Sequence, residues 1–196
     1  MTTLLLATRN KGKIKEVKSL LADIPYEIKT LDDLNISDDV EEKGISYEEN
    51  ALLKAKTIGD KTKILTLGED SGLEIDIFDG WPGIYSARHT IGTDEDKIDA
   101  ILGKMNNIPE EKRTAKYKSV AILYDPSTKS VHKFEGSCEG FITEKRIGTH
   151  GFGYDPIFWS QDLGKTFGTS SDEEKNKVSH RGRALLQLKK FLLKIS

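Results

Sequence analysis

Leu4-Leu5-Leu6-Ala7 runs directly into Thr8-Arg9-Asn10-Lys11-Gly12-Lys13, and Ile14, Val17 and Leu21 follow at i, i+3 and i+7. The first four residues form an apolar run short enough for a buried strand, and the later spacing has the period of a helix. Asn10 carries the side chain of an N-cap. The chain therefore opens strand, polar turn, helix, which is the first step of an α/β fold.

Working outward, Ser46 and Glu49 have capping-box spacing, and Ala51, Ala55 and Ile58 line one face of a helix expected to stop at Gly59. Ile64 to Leu67 reads as one strand, and Leu73, Ile75 and Ile77 alternate as a second, with Gly68-Glu69-Asp70-Ser71-Gly72 between them. Gly80-Trp81-Pro82-Gly83 is a loop, and Thr93 with Asp96 caps a helix whose buried stripe is Ile98, Ile101, Leu102 and Met105. Tyr117–Tyr124, Val131–Phe134 and Cys138–Ile142 read as antiparallel neighbours, with turn signals at Pro126-Ser127 and Gly136. A glycine-punctuated loop runs from Gly148 to Pro156, and a final helix follows Ser179. With no repeat or linker in sight, residues 1–196 are expected to form a single α/β domain with a mixed sheet.

Composition narrows the functions. Hydrophobic residues are 36% and charged residues 32% of 196, enough apolar side chain for a core. Thirty basic against thirty-two acidic side chains leave a formal charge of −2, which argues against a nucleic-acid backbone as partner. No apolar run approaches the roughly 20 residues that span a bilayer, and Met1-Thr2-Thr3-Leu4 lacks the shape of a signal peptide. Cys138 has no partner for an intrachain disulfide, so a reducing, cytoplasmic location is expected.

Three segments carry chemistry. Thr8 to Lys13 joins a strand to a helix N-terminus, where backbone N–H groups, the helix dipole and Lys11 and Lys13 favour a phosphate; the competing reading is a solvated basic helix start. Glu69-Asp70-Ser71-Gly72, with Glu41-Glu42 upstream, offers carboxylate oxygens for a hard cation such as Mg²⁺, or else makes a polar β-turn. Phe152 and Tyr154 in Gly151-Phe152-Gly153-Tyr154-Asp155-Pro156 could stack a planar base, while Lys175 and Ser179-His180-Arg181 supply donors for its edge. The plainer alternative is core aromatics beside a capped, basic helix.

Six segments in register resemble the Ham1-like, or inosine triphosphate pyrophosphatase, family: ATRNKGKIKEV (7–17), EEKGISYEENALLKA (41–55), GEDSGLEID (68–76), GWPGIYSARH (80–89), GFGYDPIF (151–158) and EEKNKVSHRGRAL (173–185). The resemblance implies a long mixed sheet flanked by helices, two lobes around an active-site cleft, and a homodimer. It implies hydrolysis of ITP, dITP and XTP to monophosphate and pyrophosphate with Mg²⁺, with neither nucleic acid nor membrane as partner. By matching motif, Thr8, Arg9, Asn10, Lys11, Gly12, Lys13 and Lys54 would bind the triphosphate, Asp70 would be the catalytic carboxylate, and Ser71 would touch substrate. Asp70 with Glu41 or Glu42, Glu41 being preferred, would hold the metal. Phe152, Gly153, Tyr154, Asp155, Lys175, His180 and Arg181 would hold the base. Arg9, Glu69 and His150 stand where the family more often has glycine, aspartate and glycine. Rival readings are a Maf-type pyrophosphatase acting on modified pyrimidines and a non-catalytic nucleotide sensor; a single-stranded RNA binder fits poorly with the negative charge.

Overall fold

The computed structural model describes residues 2–195. In chain order the strands are β1 (Thr2–Leu6), β2 (Tyr26–Thr30), β3 (Leu65–Ile75), β4 (Thr114–Asp125), β5 (Ser130–Ile142), β6 (Phe158–Ser160) and β7 (Lys165–Thr166). The α-helices are α1 (Lys11–Leu20), α2 (Tyr47–Thr62), α3 (Asp94–Lys104), α4 (Asp172–Val178) and α5 (His180–Ile195). The strands form one mixed sheet in the order β2-β1-β3-β4-β5-β6-β7. Strand β1 is parallel to both β2 and β3, whereas β6 is antiparallel to β5 and β7.

The chain divides into two compact units, one of residues 1–70, 119–136 and 181–196, the other of residues 71–118 and 137–180. In the first, β1 is buried on both faces, as its unbroken apolar run requires. Leu4 and Leu6 pack with Val17 and Leu21 of the α1 region and with Ala184, Leu185, Leu188 and Leu192 of α5. Leu5 and Ala7, on the alternate face, pack with Leu31 and with Ile58 of α2. In the second unit, Leu73 and Ile75 of β3, Ile98 and Ile101 of α3, Tyr117, Cys138, Phe158 and Phe167 make a separate core.

The local signals for helix starts hold. Asn10 accepts from Lys13 N–H, Ser46 from Glu49 N–H, and Thr93 and Asp96 close a full capping box. Glycine is where the local reading fails. Helix α2 passes through Gly59 and ends three residues later, with Lys63 as the left-handed C-cap at φ 59°. The two strands expected around Gly68–Gly72 are the single strand β3, and those expected on either side of Gly136 are the single strand β5. Ladder pairing on both sides of a central strand outweighs the modest entropic cost of an interior glycine. Edge strand β2, the short β6 and β7, and α4 carry too little periodic pattern to be read locally. No described helix is long and apolar enough to cross a membrane.

Candidate active site

Because β3 continues through Glu69-Asp70-Ser71, a polar β-turn is excluded there, and the two acids take alternate sides of a strand. Asp70 meets α2. Gly68 permits this, since a Cβ there would lie 2.2 Å from the carbonyl oxygen of Ala51. With the helix that close, Asn50 and Lys54, one turn apart on the same face, both reach the carboxylate. Asn50 Nδ2 donates to Asp70 Oδ2 at 3.0 Å, and Lys54 Nζ lies 3.8 Å from Oδ1. The same ammonium is 2.5 Å from Glu42 Oε1, so one buried lysine is shared by two acids. Burial pushes the Asp70 carboxyl above its ordinary range; Lys54 and Lys13 pull it back, while Glu42 adds to the rise.

Glu69 faces α1 and α5. Its Oε1 accepts from Ser119 Oγ at 2.7 Å and from Arg181 Nε at 3.2 Å, and its Oε2 lies 2.8 Å from Lys13 Nζ. Arg181 also pairs through Nη1 with Glu16 Oε2 at 2.5 Å. Burial opposes the charge on Glu69, but Arg181, Lys13 and Lys54 outweigh it and hold the carboxyl well below its ordinary range. Glu69 therefore stays ionised next to an aspartate whose charge is disfavoured. Lys13 sits in the first turn of α1, whose exposed start carries Asn10 and Lys11.

Two residues expected at the site make contacts elsewhere. Glu41 points away: it pairs with Lys43 at 2.9 Å with its side chain three-quarters exposed, and Glu42 is the acid brought to Lys54 and Asp70. Arg9 straps the turn to the next loop, donating to Asp32 Oδ1 and to the carbonyls of Ile36 and Asp38. Among the described residues no group of three His, Cys, Asp or Glu side chains could by itself hold a metal. Glu42 and Asp70 are nonetheless hard oxygen donors already converging on one cation, which suits an ion such as Mg²⁺ that takes one or two carboxylates and completes its shell with water and phosphate.

The second unit builds a different group. Gly151, at φ +77°, lets the chain turn so that Asp155 Oδ2 accepts Phe152 N–H at 2.8 Å; a Cβ at Gly151 would lie 1.9 Å from that oxygen. Lys175 Nζ pairs with the same Oδ2 at 2.6 Å and lies 4.7 Å from the centre of the Phe152 ring. Phe152 is half-buried, leaving ring surface for stacking. Tyr154 is not a stacking surface. It is buried, with its hydroxyl donating to Ser86 O at 2.5 Å and 2.7 Å from His89 Nε2. Since that proton goes to Ser86, Nε2 of His89 is the donor to Tyr154 and its Nδ1 accepts from Thr90 Oγ1 at 2.9 Å. Burial drives the Tyr154 hydroxyl pKa up, so it remains a donor. His180 is buried and stacked on Tyr117 at 4.5 Å and 7°, and His150 anchors the loop through Nδ1 to Ser170 O.

The guanidinium of Arg181, a residue expected among those that hold the base, is engaged with Glu16 and Glu69, 165 and 112 residues away in the chain. Sequence reasoning missed Glu16, Asn50, Ser86, His89 and Ser119. Glu16, Asn50, Ser86 and His89 lie within the segments that carry the family resemblance, and Asn50 also stands four residues before Lys54 on its helix; Ser119 carried no signal.

The sequence profile of the Ham1 family matches residues 4–191. A dITP/XTP pyrophosphatase of Symbiobacterium thermophilum is 46% identical over 182 residues, covering 93% of this chain and 90% of that protein. The dITP/XTP pyrophosphatase of Bacillus cereus is 41% identical, covering 96% and 93%. Among solved structures, a HAM1 protein from Coxiella burnetii superposes with a TM-score of 0.89 at 32% identity, over 99% of this chain and 100% of that one.

Proposed function

The chain belongs to the Ham1 family, and from that premise we propose that it hydrolyses the triphosphates of deaminated purines, ITP, dITP and XTP, to the nucleoside monophosphate and pyrophosphate. The observation that carries this reading is the buried Asp70, oriented by an amide and flanked by a lysine it shares with Glu42. We take residues 1–196 as one catalytic domain of a cytoplasmic homodimer.

A triphosphate brings about four negative charges, so its hydrolysis calls for cations and positioning rather than a covalent nucleophile. Lys13, Lys54 and the exposed start of α1 supply the cations, with Thr8, Asn10, Lys11, Gly12 and Ser71 as further phosphate contacts. Asp70 orients the attacking water and takes its proton, a role suited to a carboxylate whose pKa burial has raised. Glu42 and Asp70 would hold Mg²⁺, which when bound supplies charge neutralisation on the phosphate oxygens.

Phe152 stacks the base, Asp155 and Lys175 fix the loop that presents it, and His180 contributes a donor. Arg181, whose guanidinium is oriented by Glu16 and Glu69, serves the base as a further donor. A donor facing position 6 matches the oxygen of hypoxanthine or xanthine and opposes the amino group of adenine, a mismatch costing on the order of 1–3 kcal/mol.

The deciding experiment is pyrophosphate release with Mg²⁺ across ITP, dITP, XTP and the four common triphosphates. The expected result is turnover of the first three at least tenfold above ATP, on the scale of one unmatched buried hydrogen bond. Equal rates across the panel would overturn the assignment of substrate class.

A further inference from the structure

Asn50 is fully buried, and both ends of its amide are engaged. Nδ2 donates to Asp70 Oδ2 at 3.0 Å, and Oδ1 accepts from Gly44 N–H at 2.8 Å. The amide can stand only this way round. Flipped, it would set an NH₂ against the Gly44 N–H and a carbonyl against a carboxylate. Gly44 lies two residues beyond Glu42, the acid that shares Lys54 with Asp70.

We propose that Asn50 is a positioning residue that clamps the segment carrying Glu42 to the Asp70 carboxylate and, by occupying Oδ2, makes Oδ1 the oxygen that works on the attacking water. The clamp explains Gly44. A Cβ at that position would lie 2.7 Å from both Asn50 Oδ1 and Glu49 Cβ, so any larger residue wedges the segment off α2. Helix α2 thereby delivers three things to one place from one face: the cation of Lys54, the orientation of Asp70, and the anchor of the Glu42 segment. The catalytic half of this inference rests on the proposed hydrolysis; the clamp itself does not.

Three variants separate the parts. Asn50→Asp keeps the acceptor for Gly44 but replaces the donor to Asp70 with a second carboxylate oxygen. Asn50→Ala removes both contacts, and Gly44→Ala wedges the segment against Asn50 while leaving the amide's own donor and acceptor in place. Steady-state kinetics on ITP should show kcat reduced on the order of 10²-fold in Asn50→Asp, with KM within about threefold. Gly44→Ala should lower kcat by about tenfold in the same pattern. Hydrogen exchange at the Gly44 amide should be about tenfold faster in Asn50→Ala and unchanged in Asn50→Asp. A folded Asn50→Asp protein with kcat within about threefold of the parent would overturn the positioning of Asp70. Unchanged Gly44 exchange in Asn50→Ala would overturn the clamp. Should the parent protein release no pyrophosphate from any triphosphate, the proposed hydrolysis fails, while the exchange measurement still decides the clamp.

Discussion

Lys54 and Lys175 are both buried lysines on helices, each within reach of a buried aspartate, yet they are built for different work. Lys54 is divided between Glu42 at 2.5 Å and Asp70 at 3.8 Å, with a third acid, Glu69, close enough for Lys54 to help hold it ionised. Lys175 lies 2.6 Å from Asp155 and has aromatic faces around it, the rings of Phe152 at 4.7 Å and Phe167 at 5.5 Å. A cation divided between two carboxylates, close to Glu42 but 3.8 Å from Asp70, can turn to phosphate oxygens without losing every partner. A cation locked to one carboxylate between rings fixes the shape of a loop. The difference teaches that burial of a charged pair does not by itself mark a catalytic group; how the charge is shared does.

The comparison can be broken most directly at Lys175. Lys175→Met leaves Asp155 buried without its close cation, and losing one partner of such a pair costs about 3–5 kcal/mol. Urea denaturation should show that loss in Lys175→Met, whereas Lys54→Met should lose much less stability and far more turnover. Equal stability losses in the two variants would erase the distinction.

Next in size is Asp70→Asn, for which kcat should fall on the order of 10²-fold or more. Its effect on stability has the opposite sign. Burial raises the native carboxyl above its ordinary range, so the native state binds the proton more tightly and wild-type stability falls as pH rises through the raised native pKa. Melts with chelator present should therefore place Asp70→Asn at or above the parent at pH 7, with the gap closing toward pH 4. A lower melting temperature for the variant at pH 7 would mean that the Lys54 and Asn50 contacts outweigh desolvation.

Phe152→Ala sharpens the role of the second unit. Stacking of a base on an aromatic ring is worth about 1–3 kcal/mol, so KM for ITP should rise by about tenfold while kcat stays within a few-fold. A fall in kcat alone would take Phe152 out of base binding. The smallest effect is expected at Glu41. Its exposed pair with Lys43 belongs to a class worth at most about 1 kcal/mol, so Glu41→Gln should retain activity within about threefold. Glu42→Gln, at the shared lysine, should lose at least tenfold, the scale of a charged hydrogen bond to a buried group. Reversal of that order would restore Glu41 as the metal-side acid.

Much of this was legible before any coordinates. The caps at Asn10, Ser46 and Thr93 and the strand-turn-helix opening stand where the sequence puts them. Each of those signals is local: a cap is a bond between residues three apart, and an amphipathic stripe is set by the 3.6-residue period. The resemblance in register added what no spacing could, the expectation that distant segments serve one reaction.

The pairings that give the segments their roles belong to the tertiary structure. Nothing near Glu69 in the chain says that it meets Arg181, 112 residues on, nor that Asp70 turns the other way toward Asn50. Nothing in Glu41-Glu42 says which acid turns inward to Lys54. Gly68 and Gly136 read as turns because glycine permits turns, but a residue's permission is not an instruction; the neighbouring strands and the closeness of α2 decided for extended chain. The sequence by itself determined the short-range structure, whose energies lie between neighbours in the chain. The folded chain decided which buried charges share a partner, because that depends on which surfaces the core brings within about 4 Å, where a charge pair in a dry interior is strong.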